Sequence, residues 1–264
     1  MIREHKCIIC SSESFFLKSV NEFDIYKCSS CALEYVNPMP SESCLKEFYS
    51  QYLDIRAQNE VTARNALRNL AFIENELSIQ NKRSILDFGC GNNMFVETCR
   101  QNGFLDSYGF DQYIDAAPDE KRVSKNSYLD QKWDVVTLWG VLEHVKSPIS
   151  LMFGIKECLS EDGLIVLTTI FTESSIPFQY KPPEHTLYFT KDSLEDLAES
   201  VGLTIVKFEN YHMVQSSDVY LSILLRTVPN EYKTLINHQL PEFVEVPTNE
   251  VRVVLKKARG SVDD

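Results

Sequence analysis

The chain has 264 residues, of which 44% are hydrophobic and 24% are charged, and its net charge at pH 7 is −12. This composition is that of a folded globular protein, and it excludes a disordered chain and a fibrous repeat. The excess of acidic residues argues against a nucleic-acid partner, because an acidic surface repels phosphate backbones. No apolar run approaches the ~18 residues of a membrane span, and residues 1–7 lack a secretion signal, so we expect a cytoplasmic protein.

The first 40 residues contain two CxxC pairs, Cys7/Cys10 and Cys28/Cys31, among strand-like segments at 15–17 and 24–26. Each CxxC turn directs two thiolates toward one point, and two such turns supply a closed tetrahedral zinc site. A closed shell leaves no position for water, so the predicted zinc is structural. The alternative is four unpaired thiols or a redox pair. We predict a zinc-binding module over 1–40.

Residues 41–82 are predicted to form a helical connector. Asn37-Pro-Met-Pro40 interrupts any regular element, Ser41 is a candidate N-cap for a helix over 41–53, and apolar residues recur at helical spacing over 58–80. From residue 84 onward, strands and helices alternate, which is typical of a parallel α/β sheet. The predicted strands are 84–87, 107–110, 133–138, 163–168, 203–208 and 219–225, and the predicted helices are 93–102, 149–159 and 192–200.

A glycine turn, Asp87-Phe-Gly89-Cys90-Gly91-Asn92-Asn93, follows the first of these strands, and Asp111 ends the second. Such a turn lets the backbone approach a ligand closely, and an acid ~20 residues later is where a ribose is bound in doubly wound folds. A carboxylate at this place accepts hydrogen bonds from two ribose hydroxyls. A nicotinamide oxidoreductase is disfavoured, because Met94 stands where G-x-G-x-x-G requires its last glycine.

This turn resembles motif I, D-x-G-x-G-x-G, of class I S-adenosylmethionine-dependent methyltransferases, with Asn93 in place of the third glycine. Asparagine tolerates left-handed backbone better than most residues do. The segments 133–144 and 159–167 resemble the family's fourth strand with its following Glu-His and its fifth strand.

The resemblance implies a Rossmann-like, doubly wound, seven-stranded, mostly parallel sheet over 83–228, with a C-terminal extension over 229–264 and the connector 41–82 covering the cofactor site. It also implies S-adenosylmethionine as the cofactor. The residues expected to contact the cofactor are Asp87, Gly89, Cys90, Gly91, Asn93, Asp111, Gln112, Leu138 and Trp139.

Glu184-His-Thr-Leu-Tyr-Phe-Thr190 follows the fifth strand and resembles the E-H-x-x-Y-F-[ST] motif of zinc-containing bacterial sugar methyltransferases. That resemblance implies that His185, supported by Glu184, removes a proton from a sugar. Tyr188 and His144 complete the set of candidate catalytic residues. The C-methylating relatives carry an added C-terminal domain for which this chain has no room, so we expect O-methylation of a sugar or sugar nucleotide.

Two alternatives remain open. A ribosomal or transfer RNA methyltransferase is one, since some of these also carry an N-terminal zinc knuckle, but the net charge and the absence of a basic stripe weigh against it. A non-catalytic module that binds the cofactor or a partner is the other. The intact Glu184-His185 pair favours an active enzyme over that module.

Overall fold

The computed structural model describes residues 5–52, 60–78, 83–113, 123, 127–227 and 240–258. These residues form two β-sheets, and the larger one carries helices on both faces. Among the described residues no helix is both long and apolar enough to cross a membrane. The ends of the helix predicted over 58–80 lie outside the described residues.

The smaller sheet is antiparallel throughout and has the strand order β1-β2-β3-β4-β9. Four of its strands come from the N-terminal module, and the fifth comes from the segment that contains the Glu-His pair. The strands are β1 His5–Lys6, β2 Glu13–Val20, β3 Phe23–Cys28, β4 Glu34–Val36 and β9 Leu187–Tyr188.

The larger sheet has the order β10-β11-β8-β7-β5-β6, in which β5, β6, β7 and β8 are parallel and β11 runs antiparallel to both of its neighbours. Six strands are present in the described part of the chain, where the family resemblance implied seven. The strands are β5 Ile85–Phe88, β6 Ser107–Phe110, β7 Trp133–Trp139, β8 Leu159–Ile170, β10 Leu203–Ser216 and β11 Phe243–Lys257.

Helices cover both faces of this sheet. Successive residues of a strand point to opposite sides, so each strand contributes side chains to both helical layers. Ile85 and Val135 pack with one helical layer, whereas Leu86 and Val136 pack with the other. The first layer contains α2 Glu60–Ala71, continued by a π-helical turn Phe72–Glu76, and α3 Met94–Gln101. The second contains α4 Pro148–Cys158 and α5 Lys191–Ser200. The predicted Rossmann-like, mostly parallel architecture is therefore confirmed.

Two segments differ from the sequence-based expectation. The strand predicted over 219–225 is wrong, because these residues lie in α6 Ser217–Thr227. A short apolar run satisfies both strand and helix patterns, so periodicity alone does not separate them. The strand β11 lies in the segment expected to be an extension, yet it is paired on both sides within the larger sheet.

The N-terminal module shares a hydrophobic core with the larger sheet. Cys31, Leu33 and Tyr35 belong to the same buried cluster as Leu187 and Leu194. The predicted N-terminal helix is α1 Glu42–Tyr52. These contacts fix the module against the Glu-His segment and α5.

Gly109 of β6 faces the glycine turn after β5, and its missing side chain is required there. A Cβ at Gly109 would lie 2.6 Å from Cys90 Sγ and still closer to Asn93 Oδ1. We expect Gly109→Ala to lower the free energy of unfolding by about 1–3 kcal/mol, because an added methyl overpacks a filled core. Urea unfolding at neutral pH measures the change.

The matched control is Gly154→Ala in α4, where an added Cβ meets no atom within 4 Å. Alanine there should stabilise the helix by about 0.5–1 kcal/mol. Equal effects of the two substitutions would contradict the close packing of Gly109 on the turn.

Candidate functional site

The glycine turn is bound to the end of the neighbouring strand β6. The backbone N–H groups of Gly89 and Cys90 both donate to the Phe110 carbonyl, at 2.7 and 3.0 Å. Gly89 and Gly91 have φ of +79° and +52°, a region that glycine adopts without strain. Asn93 precedes α3 with φ +69°, so asparagine takes the left-handed backbone at the third glycine position, as predicted.

Asp111 closes this turn from the other side. One carboxylate oxygen accepts the Gly91 N–H at 3.0 Å, and the other accepts the Tyr113 N–H at 2.9 Å. The carboxylate therefore stands at the carboxyl edge of the sheet, and each oxygen retains a lone pair. The structure thus brings the predicted ribose acid directly beside the glycine turn.

Two cavities of about 360 and 480 Å³ open at this edge of the sheet. Both are lined by Gly89, Trp139 and Gly140, so they meet at the ends of β5 and β7. The first cavity is also lined by Phe88, Asp111, Gln112, Val141 and His144. The second is also lined by Asp87, Cys90, Gly91, Asn65 and Asn69 of α2, Thr168, Tyr211 and Glu250.

Trp139 forms the wall common to both cavities. Its ring packs edge-on against Phe95 at 5.3 Å, and its buried Nε1–H has no hydrogen-bond partner among the described residues. The next residue, Gly140, donates its N–H to Thr168 Oγ1 at 3.0 Å. A buried N–H without an acceptor is rare and costly in a folded protein.

Asp87 lies beneath the turn and is 3% exposed. Burial raises the pKa of its carboxyl to about 7, the hydrogen bond from Thr137 at 2.6 Å opposes the rise, and the charge of Asp111 adds to it. Asp87 therefore holds the turn and Thr137 together at the base of the second cavity.

His144 lies on a 3₁₀ turn after β7 and lines the first cavity. Its Nδ1 lies 2.7 Å from the carbonyl oxygen of Glu184. A carbonyl only accepts, so Nδ1 carries the hydrogen and Nε2 of the neutral ring carries a lone pair. The tautomer of His144 is therefore fixed by the Glu-His segment.

His185 lies behind His144, with the ring centres 4.8 Å apart in an edge-on contact. It is 7% exposed and lines neither cavity. Burial lowers the pKa of its imidazole to about 3, and the neighbouring His144 and Lys181 add to this effect. The ring is accordingly neutral at physiological pH.

Four other predicted residues lie away from the cavities. Tyr188 is fully buried in β9, and its hydroxyl donates to the His185 carbonyl at 3.0 Å and accepts the Lys181 N–H at 2.9 Å. Leu138 is fully buried in the core, and Asn93 is 4% exposed. Glu184 contributes its carbonyl to His144 and lines neither cavity.

Sequence reasoning missed two residues of the second cavity. Glu250 of β11 and Asn69 of α2 line it, and Asn69 Oδ1 accepts the hydroxyl of Tyr211, which also lines the cavity, at 3.0 Å. Burial raises the pKa of Glu250. The apolar residues Val251, Val253, Val254 and Leu255 were the available signal, since they indicate a buried strand beside Glu250.

The four cysteines of the N-terminal module converge. The Sγ–Sγ distances are 3.7 Å for Cys7–Cys31, 3.4 Å for Cys10–Cys28 and 3.6 Å for Cys10–Cys31, and none forms a disulfide. Four sulfurs held at 2.3 Å around a tetrahedral zinc ion are about 3.8 Å apart. The donor set and spacing therefore fit a zinc ion.

A family model described as a methyltransferase domain matches residues 56–207, more than half of the chain. The chain belongs to this methyltransferase-domain family. The family predicted from the glycine turn is therefore confirmed.

Two curated relatives differ in their acceptors. A ubiquinone biosynthesis O-methyltransferase of Glaesserella parasuis is 29% identical over 40% of this chain and 52% of its own length. A tRNA U34 carboxymethyltransferase of Helicobacter pylori is 26% identical over 66% of this chain and 72% of its own length. The chain spans about half the length of the ubiquinone enzymes that it matches.

A solved structure with a similar fold is 1,6-didemethyltoxoflavin-N1-methyltransferase of Burkholderia thailandensis. The TM-score is 0.54 at 15% identity, and the match covers 93% of this chain and 99% of that one. At this identity the likeness shows the fold alone.

Asp87 generates a pH dependence of stability. Its folded pKa of about 7 exceeds the usual 3.8, so unfolding releases a proton between these pH values and stability falls as pH rises through that window. Asp87→Asn keeps an acceptor for Thr137 and removes the charge. We expect the free energy of unfolding of the variant, relative to that of wild type, to increase as the pH rises from 4.5 to 7.5. The increase should be up to about 1.4 kcal/mol per pH unit.

Urea unfolding of both proteins at the two pH values measures this gain. Asp162→Asn, at an exposed position, is the control and should follow wild type. A constant difference between Asp87→Asn and wild type across the window would contradict the raised pKa.

Proposed function

We propose that the chain transfers a methyl group from S-adenosylmethionine to a hydroxyl group of a small molecule, most specifically a sugar or sugar nucleotide of bacterial surface-glycan or secondary-metabolite synthesis. The observation that carries the proposal is the junction of two cavities at Gly89, Trp139 and Gly140, beside Asp111. A methyltransferase must bring two ligands together, and two adjacent cavities at the carboxyl edge offer room for a nucleoside cofactor and an acceptor.

The cofactor supplies a methyl group on a sulfonium sulfur, and transfer forms an O–C bond while the C–S bond breaks and its electron pair stays on sulfur as S-adenosylhomocysteine. Asp111 accepts the ribose hydroxyls at the first cavity. The turn at Gly89 and Gly91 lets the backbone approach the ligand where the cavities meet. Trp139 forms the wall that the two cavities share.

The acceptor hydroxyl must lose its proton, and His144 is placed to take it. His144 lines the first cavity, and its Nδ1–H donates to the Glu184 carbonyl, so Nε2 is the basic nitrogen of the ring. His185, the base predicted from sequence, acts in this proposal by packing against His144, with Glu184 orienting the ring. A positioned imidazole base contributes about 10²–10⁴-fold to such a step.

Three observations support a small acceptor with hydroxyl groups. The cavities have the volume of small-molecule sites. The net charge of −12 disfavours a phosphate backbone. The ubiquinone relative is named an O-methyltransferase, and the Glu184–Thr190 motif resembles that of sugar methyltransferases.

A transfer RNA is the second candidate acceptor, because the Helicobacter pylori relative that is named a tRNA enzyme matches 66% of this chain. The acceptor assay below therefore includes tRNA beside the sugars. Transfer to tRNA and not to sugar nucleotides would replace the first candidate by the second.

Cofactor binding is tested by calorimetry of the zinc-loaded protein with S-adenosylmethionine, S-adenosylhomocysteine and NAD⁺. We expect both sulfur nucleosides to bind and NAD⁺ not to bind. Asp111→Ala should weaken binding at least about tenfold, since it removes the acceptor of two charge-assisted hydrogen bonds. Absence of binding to wild type would contradict the methyltransferase proposal and favour a non-catalytic module.

Proton removal is tested with radiolabelled methyl transfer to a panel of sugar nucleotides and tRNA. His144→Gln should bind S-adenosylhomocysteine like wild type and lose about 10²–10⁴-fold in kcat. His212→Gln, a histidine whose ring lies outside both cavities, is the control. Full activity of His144→Gln would contradict its role.

A structural zinc ion held by Cys7, Cys10, Cys28 and Cys31 belongs to the proposal. Four thiolates fill the coordination shell, so the ion orders the module and takes no part in methyl transfer. The module shares its core with β9 and α5. Loss of the metal should therefore disturb the packing of the Glu184–His185 segment.

Zinc removal by a strong chelator should lower the melting temperature, and Zn²⁺ but not Mg²⁺ should restore it. Elemental analysis should find one zinc per chain in wild type and in Cys44→Ser, a cysteine outside the cluster, and none in Cys31→Ser. A zinc-free wild type with an unchanged melting curve would contradict the site.

A further inference from the structure

Three potential metal ligands meet at the wall of the first cavity. Glu143, His144 and His185 each place a donor atom within 4.8 Å of the others. Glu143 and His185 are buried, at 2% and 7% exposure, while His144 lines the cavity. The group is separate from the four cysteines and stands where the proposed acceptor would lie.

Glu184 lies beside both imidazoles. Its carbonyl oxygen accepts Nδ1–H of His144 at 2.7 Å, so Nε2 is the nitrogen of that ring that carries no hydrogen in the neutral form. Its carboxylate oxygen lies 3.9 Å from Nε2 of His185. Metal-binding histidines typically direct their second ring nitrogen to a carbonyl or a carboxylate in this way.

His185 supplies an independent observation. Its buried Nδ1 has no hydrogen-bond partner within the described ranges. A neutral imidazole with Nε2–H toward Glu184 has its lone pair on Nδ1. A buried lone pair that meets no donor is costly, and a metal ion would satisfy it.

Glu143 brings a carboxyl group to the same place. Its Oε2 accepts the Thr169 hydroxyl at 2.9 Å, and its carboxyl group makes no ion pair with a lysine or arginine side chain in the described part of the chain. Burial raises the pKa of this carboxyl to about 8, and a cation bound between Glu143 and the two histidines would replace its proton.

We infer that Glu143, His144 and His185 bind a divalent first-row transition-metal ion at the wall of the first cavity. Two imidazoles and one carboxylate are a ligand set that such ions take, with further positions left open. Bonds of about 2.1 Å place ligand atoms about 3–4 Å apart, so small side-chain rotations close the group on an ion. Because His144 lines the cavity, the open coordination positions of the ion lie on the cavity side.

The role of this ion in the reaction rests on the proposed function, whereas its binding does not. A bound ion would hold the acceptor oxygen and lower the pKa of the hydroxyl. The hydroxyl proton would then pass to solvent water, and His144 would act as a metal ligand in place of the base role that the proposed function gives it. The acceptors favoured are those with two adjacent oxygens, which can occupy two open positions.

The test is titration of Mn²⁺ into protein that carries a single zinc ion per chain, held by the four cysteines, with unbound Mn²⁺ measured by electron paramagnetic resonance. Mn²⁺ competes poorly for thiolates, so it reports this group and leaves the cysteine site filled. We expect one Mn²⁺ per chain in wild type. His185→Gln and Glu143→Gln should each weaken binding at least about tenfold, and His212→Gln should bind like wild type.

Calorimetry with S-adenosylhomocysteine on the same preparations separates the outcomes. A wild type that binds the nucleoside but not Mn²⁺ overturns the metal inference and leaves the proposed function intact. Mn²⁺ binding without nucleoside binding supports the site and contradicts the proposed function. Equal Mn²⁺ affinity in wild type, Glu143→Gln and His185→Gln, with unchanged circular dichroism, also overturns the inference.

Discussion

The short pairing of β4 with β9 holds the candidate site together. Val36 donates its N–H to the Thr186 carbonyl at 2.9 Å, and the Thr186 N–H in turn donates to the Glu143 carbonyl at 2.8 Å. The Thr190 hydroxyl, which caps α5, donates to the Cys31 carbonyl at 2.7 Å. A hydrogen-bonded path thus runs from the cysteine cluster through the Glu-His segment to the turn that carries His144.

This connection explains why the Glu-His motif is only partly in contact with the cavities. Pairing of β9 with β4 places Tyr188 within the small sheet and turns His185 inward, so these residues shape the wall from behind. His144 then presents the polar face of that wall. The motif and the residue after β7 therefore form one unit, in which the Glu184 carbonyl accepts Nδ1–H of His144 and the two imidazoles pack edge to face.

Much of the fold was predictable, because strands such as Ser107–Phe110 and Trp133–Trp139 have clear boundaries and alternate with amphipathic helices. The glycine turn and Asp111 were predictable because their spacing reflects a local strand-turn-helix unit. The helix α6 was not predictable, since its apolar run fits both the strand period and the helix period. The burial of His185 and the placement of Glu250 were also not predictable, because both depend on pairing between strands that lie far apart in the chain.

The position of β11 has a consequence for how the chain folds. Residues 243–257 lie between β8 and β10, so the sheet is discontinuous until this late segment is inserted. Before then, β8 presents open N–H and C=O groups flanked by apolar side chains, the condition under which strands from different molecules associate. A growing chain on the ribosome therefore exposes this edge of β8 until β11 has emerged, and during that interval the edge is open to aggregation.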